Sequence, residues 1–414
     1  VRWGDCPRNV LDPDNKKDRL IWDRILPEAK MDRQPDIYVD IRIPNEFETF
    51  GKFNIGITAG IETDIISPEW VEGCNKMDLV IVPSQHSKRG IVETIYDKMQ
   101  HLPDGNKQKA GEHRVNKPVE VLFEGYNEEV FKPLKVDGVD GGILKKLNSM
   151  VKEDFAFLFV GLWGNGEYGE DRKDVGTTIK VFCEAFANKK KKPALILKTN
   201  GSNFSYMDKQ QILKKIKRIK GNFPDNFDLP NVYVLHGDLT NEEMNSLYNH
   251  PKIKCMISFT HGEGFGRPLL EASVVGLPII ASGWSGQLDF LDPDLCLLLP
   301  GELKDIPKSQ IWDKIIVEGS KWFYVNESKA YDALNYVFNN YYEIKRKSDT
   351  LQRNNLNKFT HHGMTKKLGE MMDSYLKKLP TMSTLKLPKL KKVGALDDIK
   401  LPKIQLPKLK KVTT

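Results

Sequence analysis

The segment HGEGFGRPLLEASVVGLPIIAS, residues 261–282, decides how the rest of the chain reads. Before it, IKCMISFT (253–260) is a short apolar run with the composition of a buried strand. Gly262, Gly264 and Gly266 then form a loop, and Pro268 stands near the first turn of a predicted helix, RPLLEASVVG (267–276). LPIIAS (277–282) returns as a strand. Glycines let backbone N–H groups approach a ligand closely, and a helix N-terminus favours an anion there. Glu263 and Glu271 lie eight residues apart, one in the loop and one in the first helical turn. A carboxylate accepts hydrogen bonds from sugar hydroxyls. A loop that offers amides to phosphate and carboxylates to hydroxyls suits a nucleotide sugar. The plainer alternative is a glycine turn whose Glu271 only complements the helix dipole.

Working outward, the same alternation continues upstream. FAFLFVG (155–161), PALILKTNG (193–201) and NVYVLHG (231–237) read as strands, and the helices VGTTIKVFCEAFANK (175–189), DKQQILKKIKRIK (208–220) and TNEEMNSLYNH (240–250) follow them. Thr240 and Glu243 form a capping box for the last of these. Five strands alternating with helices predict a doubly wound parallel sheet with its ligands at the strand C-terminal ends. A second such region lies earlier: PDIYVDIRI (35–43), KFNIGITAG (52–60) and MDLVIVPS (77–84) as strands, HSKRGIVETIYDKM (86–99) as a helix, then VEVLFEGYN (119–127). Residues 132–150 are Gly- and Lys-rich with little periodicity and read as a linker plus a short helix. Helical stretches are expected at 326–342 and 342–378.

Here the sequence resembles a family. E-G-F-G-x-P-x-x-E-A followed by G-x-P-x-I-A-S is similar to the E-x7-E signature of retaining GT-B glycosyltransferases of the group-1 (family-4) type. LFEGYNEEVF (122–131) resembles that family's N-G-V-D…F segment, and VIVPS (80–84) the strand before its late helix. IPNEF, NIGITAGIET and MDLVIVPS, with the LPKLKK tail, also look like versions carried by large tailed phages. The resemblance implies an α/β fold of two Rossmann-like domains facing a cleft, with a basic Leu-Pro-Lys repeat tail. The expected division is an acceptor domain at 1–131, a linker at 132–150, a nucleotide-sugar domain at 151–342, C-terminal helices at 343–380 and the tail at 381–414. The chain opens with VRWGDCP, without the strand, Gly-rich loop and helix usual in the family, so the first domain is expected to be truncated at its start.

Carried over by position, Glu271 would bind the ribose, and Glu263 with the Phe265–Gly266 backbone would hold donor-sugar hydroxyls. Gly161 and Gly264 would let backbone come close to the donor, and His236–Gly237 would read the base. The family binds the diphosphate with a basic pair after the first strand and at the end of the second, which implies Arg172, Lys173 and Lys198. For Arg172 and Lys173 the alternative is a solvated charged loop. Glu62, after the strand KFNIGITAG, is the candidate acidic group near the anomeric carbon, with a structural loop carboxylate as the alternative. His86 reads better as an exposed helix-start residue than as a site residue.

Two other signatures are rejected. GNGEYG (164–169) matches the dinucleotide fingerprint, but it leads into EDRKD and not directly into a helix, and Lys198 stands where an acidic residue is wanted. Asp12-Pro13-Asp14 and Asp292-Pro293-Asp294 read as turns and not as a metal-binding D-x-D, so neither a metal nor another cofactor is expected.

Composition bounds the rest. The 414 residues carry +7, and residues 381–414, with nine lysines and two aspartates, account for all of it. The body is therefore neutral, which argues against a large nucleic-acid footprint on it. No apolar run is long enough to span a membrane. Cys6, Cys74, Cys183, Cys255 and Cys296 form no C-x-x-C pair and read as isolated reduced thiols, so the expected location is cytoplasmic, in the host if the chain is viral. The function implied is metal-independent transfer of a hexose or pentose, with retention, from a UDP- or GDP-sugar to an acceptor hydroxyl. The acceptor would be a glycan or a modified base in phage DNA. The basic tail would attract nucleic acid, an anionic membrane or a protein. The alternative is a catalytically weak GT-B shell that binds through its tail.

Overall fold

A computed structural model describes residues 11–26, 31–101, 107–164, 166 and 168–376. Cys6 and the repeat tail lie outside the described residues. A short helix, α1 (Lys16–Trp22), opens it, capped by the Asn15 side chain. Then come β1 (Ile37–Ile41), β2 (Phe53–Ile57), α2 (Pro68–Lys76), β3 (Leu79–Val82), α3 (Gln85–Glu93), β4 (Ile95–His101), β5 (Lys107–Arg114) and β6 (Val119–Val121). β1, β2, β3 and β6 form a parallel sheet in that order. LVIV of β3 is buried along its whole length, as a central strand covered on both faces must be.

One expected helix is shorter than its spacing predicts. α3 stops at Glu93, and residues from Ile95 on pair instead with β5 in an antiparallel hairpin. Thr94 ends the helix in an extended conformation, its hydroxyl turned back to the Gly90 carbonyl at 2.6 Å. The β-prone Ile95 and Tyr96 then find strand partners in Arg114 and His113.

The second sheet follows the segment expected as a linker. That segment is fastened down: Lys132 and Leu134 N–H groups donate to Asn245 and Asn249, and Asp140 N–H to Ser246. Its helix, α4 (Gly141–Met150), buries Ile143 and Leu147. The alternation continues with β7 (Ala156–Val160), α5 (Val175–Phe186), β8 (Ala194–Lys198), α6 (Tyr206–Lys220), β9 (Val232–Leu235), α7 (Asn241–Tyr248), β10 (Ile253–Ser258), α8 (Arg267–Val274) and β11 (Ile279–Ser282). The predicted capping box at Thr240 and Glu243 is present. A sixth strand, β12 (Leu297–Leu299), extends the expected five, giving the parallel order β12-β11-β10-β7-β8-β9. Successive residues of β7 point to opposite faces. Ala156 and Leu158 join one core with Leu247, Leu270 and Leu351, and Phe157 and Phe159 join the other with Phe182, Ile216 and Leu334. Two covered faces explain why the strand is apolar without alternation. Each such buried side chain contributes roughly 1.5–3 kcal/mol.

A hairpin, β13 (Gly301–Asp305) with β14 (Lys321–Val325), then precedes three helices where two were expected: α9 (Glu327–Asn339), α10 (Tyr341–Lys358) and α11 (His361–Leu376). The break after Lys358 lets Thr360 pair with Tyr126, just beyond the last strand of the first sheet. Tyr126 N–H donates to the Phe359 carbonyl at 2.9 Å, and His361 N–H to the Tyr126 carbonyl at 3.0 Å. Gly125 is required there, because a Cβ would lie 2.6 Å from the Thr360 oxygen. Both sheets belong to one compact unit, Val1–Gly369; Glu370–Thr414 is a separate one, described only as the last turns of α11. The four described cysteines are free and buried. No helix among the described residues is long and apolar enough to cross a membrane.

α10 holds α8 in place through buried polar contacts. Asn355 donates to Ser273 Oγ at 2.8 Å and to the Phe290 carbonyl at 3.1 Å. Asn355→Ala leaves both acceptors short of a donor, so the midpoint of chemical unfolding should fall by the equivalent of about 1–3 kcal/mol. An unchanged midpoint would show that α8 is held without this contact.

Candidate functional site

The loop between β10 and α8 is squeezed between the two sheets. A Cβ on Gly264 would lie 2.1 Å from the Ala59 carbonyl, and one on Gly262 2.1 Å from that of Glu62, so no side chain fits. Gly266 has φ +97 and is the N-cap of α8, which begins without a side-chain cap. Its first amides therefore face outward from the helix end with the dipole behind them. The loop is braced from behind. Glu263 N–H donates to Ser285 Oγ at 3.0 Å, and Gly286 N–H to the Glu263 carbonyl at 3.0 Å. Gln287 accepts from Ser285 Oγ and donates to Ser282, all of them buried. Ser285 itself sits at φ 74, a strained backbone for a residue with a Cβ, as is common beside functional sites.

The Glu263 carboxylate, 10% exposed, meets two cations from the loop after β7. Lys173 Nζ lies at 2.5 Å and Arg172 at 3.2 Å, and Arg172 also donates to the Gly262 carbonyl at 2.7 Å. On its other side Arg172 Nε is 3.6 Å from Glu62, contributed by the loop after β2. Gly161, just after β7, lies beside the stem of Lys173: a Cβ there would touch Cδ at an ordinary 3.5 Å. Burial alone would raise the Glu263 pKa, but Lys173 and Arg172 overcome it and hold the carboxyl at about 2. Burial lowers the Lys173 pKa, with Glu263 opposing. Thus Glu62, Arg172, Lys173, Glu263 and Gly161, expected from separate stretches of sequence, come together. Lys173, 13% exposed on its side chain, is no solvated loop residue.

The other candidates form two further groups. Glu271 lies one turn inside α8, deeper than the first-turn placement expected, and accepts from the buried Tyr248 hydroxyl at 3.1 Å. Arg267 approaches its other oxygen at 3.5 Å. Burial raises the Glu271 pKa, against the pull of Arg267. Lys198 ends β8 as expected, but its Nζ donates to the Gly237 carbonyl at 2.7 Å and does not join the Glu263 cluster. His236 turns to Asp208 at 2.9 Å, a carboxylate that also accepts from the Gly201 and Ser202 amides. Phe265 packs into the core against Phe290, which leaves its backbone for the loop.

One reading needs correction. His86 is not exposed at its helix start. It is 8% exposed, edge-on to Trp284 at 4.6 Å, and burial lowers its pKa to about 4. The apolar partner is far away in sequence, so its own neighbourhood gave no sign of it. Both D-P-D segments are turns, with the Asp14 and Asp294 amides bonded to Asp12 and Asp292. No group of three or more His, Cys, Asp or Glu among the described residues is placed to hold a metal. Tyr248 and Ser285 escaped the sequence reading, since one lies inside an ordinary helix pattern and the other follows the recognisable motif.

Comparison with known proteins bears on this arrangement. The family model Glycosyl transferases group 1 matches residues 178–299. The match runs from within α5 to the end of β12, under a third of the chain. Arg172 and Lys173 stand just before the matched span, and Glu263 and Glu271 lie inside it. No curated protein matches the sequence. Among solved structures, the chain resembles sucrose-phosphate synthase from Thermosynechococcus elongatus, with a TM-score of 0.52, 14% identity, and coverage of 79% of this chain and 69% of that one. It resembles HepE from Anabaena, solved with UDP and glucose, at 0.51 and 15%, covering 78% and 72%. It also resembles a UDP-forming α,α-trehalose-phosphate synthase from Burkholderia xenovorans, solved with glucose-6-phosphate, at 0.52 and 12%, covering 82% and 74%. At these identities the likeness is one of fold, the GT-B arrangement of two α/β sheets.

The depressed Glu263 pKa has a consequence for acid stability. Its folded pKa of about 2 lies below the ordinary 4.5, so the stabilisation is complete above 4.5 and disappears as pH falls toward 2. Thermal melts should show that acid limb in the native chain. Glu263→Gln should melt lower at neutral pH, by the scale of roughly 3–5 kcal/mol for breaking a buried pair, and lose much of the slope across that window. Identical slopes in both proteins would refute the pairing.

Proposed function

We propose that the chain is a retaining, metal-independent glycosyltransferase that takes its sugar from a nucleoside diphosphate donor. The observation that carries this reading is the convergence of Arg172 and Lys173 on Glu263, at the loop that leads into the uncapped start of α8. Breaking the anomeric C–O bond leaves negative charge on the diphosphate. Two cations and a helix N-terminus fixed before the reaction are suited to stabilise it. In this reading Glu263 holds donor hydroxyls and keeps the two cations in place, and Glu271, oriented by Tyr248, accepts from the ribose. Lys198, Gly237 and His236 border the nucleotide, and the Phe265–Gly266 backbone faces the donor. Glu62 is the first-sheet group nearest the cations and belongs beside the reacting carbon. The leaving phosphate would take the acceptor's proton on the same face, so no dedicated nucleophile is assigned. The acceptor hydroxyl belongs to a glycan or to a modified base in DNA.

The test is release of UDP or GDP from a panel of nucleotide sugars, with glycan, DNA or water as acceptor. One donor should support release, and one acceptor should stimulate it. Lys173→Ala should lower kcat by about 10²–10³, the scale of losing one preorganised contact to developing charge. Glu271→Ala should act mainly on KM, because a ribose contact is made equally before and in the transition state. Background rates with every donor, equal in the native chain and in Glu271→Ala, would overturn the enzyme reading in favour of a binding shell.

A further inference from the structure

The neutral body hides a local surplus of positive charge. From Lys189 to Lys220 the chain carries eleven lysines and arginines and one acid, Asp208. Asp208 does not offset them at the surface, because it is buried and occupied by the Gly201 and Ser202 amides and His236. Much of the charge belongs to α6, which buries Ile212, Ile216 and Ile219. At about 100° per residue the opposite side presents Tyr206, Met207, Leu213, Lys214 and Lys217, all of them exposed. The loop before β8 adds Lys190 and Lys191 at the far end of the helix. That loop is tied to the segment after α6: Asn188 N–H donates to the Asp228 carbonyl at 3.0 Å, and Asp228 N–H to Asn188 Oδ1 at 2.8 Å. Lys190, Lys191, Lys209, Lys214 and Lys217 are exposed and form no ion pair among the described residues. Lys192 is paired with Asp228 and Arg218 has a partner of its own, so neither is counted with them.

Apolar side chains stand at the start of the same face. Tyr206 is 76% exposed and Met207 72%, and Phe204 and Leu213 are open beside them. The tip is held in place, since the Ser205 side chain caps the helix and Asp208 binds the amides of the preceding loop. Left in water, these four groups forgo the stabilisation that burial would bring. A nucleic acid would match the lysines and offer bases to the two rings, but it gives Met207 and Leu213 no apolar partner. A lipid surface meets both demands, with anionic head groups for the lysines and the acyl boundary for the tip. Lysine stems are long enough to lie on apolar surface while their ammonium groups reach head groups. We propose that the outward face of α6, together with Lys190 and Lys191, docks on an anionic lipid surface, with the Phe204–Leu213 end seated at the acyl boundary. A body of no net charge whose cations gather on one face turns that face toward a negative plane. This docking does not depend on the catalytic reading.

Sedimentation of the full chain with vesicles of phosphatidylcholine, alone or mixed with phosphatidylglycerol, tests it. The native chain should bind the mixed vesicles in preference to the neutral ones. The lysine-rich tail is present in every protein compared, so substitutions on α6 isolate the share of the helix. A lysine near an anionic surface is worth about fivefold in affinity, so Lys214→Gln with Lys217→Gln should weaken binding about tenfold or more. Tyr206→Ser with Met207→Ser keeps every charge and should weaken it about fivefold or more, at high salt as well, where charge contacts are screened. All four positions are exposed, and both double variants should melt like the native chain. No preference for anionic vesicles would overturn the proposal. So would native-like binding by both variants, which would assign the affinity to the tail. Loss in the lysine pair alone, accompanied by equal loss of binding to single-stranded DNA, would overturn the lipid assignment in favour of a nucleic acid.

Discussion

The carboxylate of Glu263 is the point on which the site depends. It is buried, it stays ionised, and a charge in that position must be balanced on the spot. Lys173 and Arg172 supply the balance, so the loop after β7 cannot move away from the loop before α8 without exposing an unpaired charge to a medium that solvates it poorly. Arg172 also reaches Glu62, which ties the balance to the first sheet. Three segments distant in sequence are thereby held within a few ångströms of one helix start.

The surrounding fold keeps that arrangement rigid by means that involve little charge. Close approach of backbone to backbone at Gly262 and Gly264 leaves no slack between the sheets. The Ser285–Gln287–Ser282 hydrogen bonds fix the far side of the Glu263 loop, and α10 fixes the flank of α8. A polar network this deeply buried helps only when its members are satisfied. Ser285 and Gln287 pair their donors and acceptors with one another, with Ser282 or with neighbouring backbone.

Much of this was legible in the sequence where local pattern and tertiary role agree. The parallel strands of the second sheet are continuous apolar runs because both faces are covered, and that is a local signal. The glycine loop, Pro268 and the capping box at Thr240 likewise state their roles in place. What was not legible depends on contacts made far along the chain. The strand from Ile95 needs β5 to exist, and α3 ends where that pairing begins. The segment from Lys132 to Met150 looks loose until α7 offers Asn245 and Asn249. His86 looks exposed until Trp284 covers it. Arg172 and Lys173 were ambiguous for the same reason: a charged loop becomes a site only when a buried carboxylate faces it.

The bridge between Tyr126 and Thr360 has a mechanical consequence. The chain passes from the first sheet to the second just after Tyr126, and it comes back beside the same spot as α10 gives way to α11. Two crossings joined by backbone hydrogen bonds behave as a pin and not as a tether. A single strand would leave the sheets free to swivel and twist, whereas a paired crossing permits chiefly one rotation, about an axis through the bridge. The Gly264–Ala59 contact and the Arg172–Glu62 pair both span the two sheets, so an opening about the bridge would have to separate both.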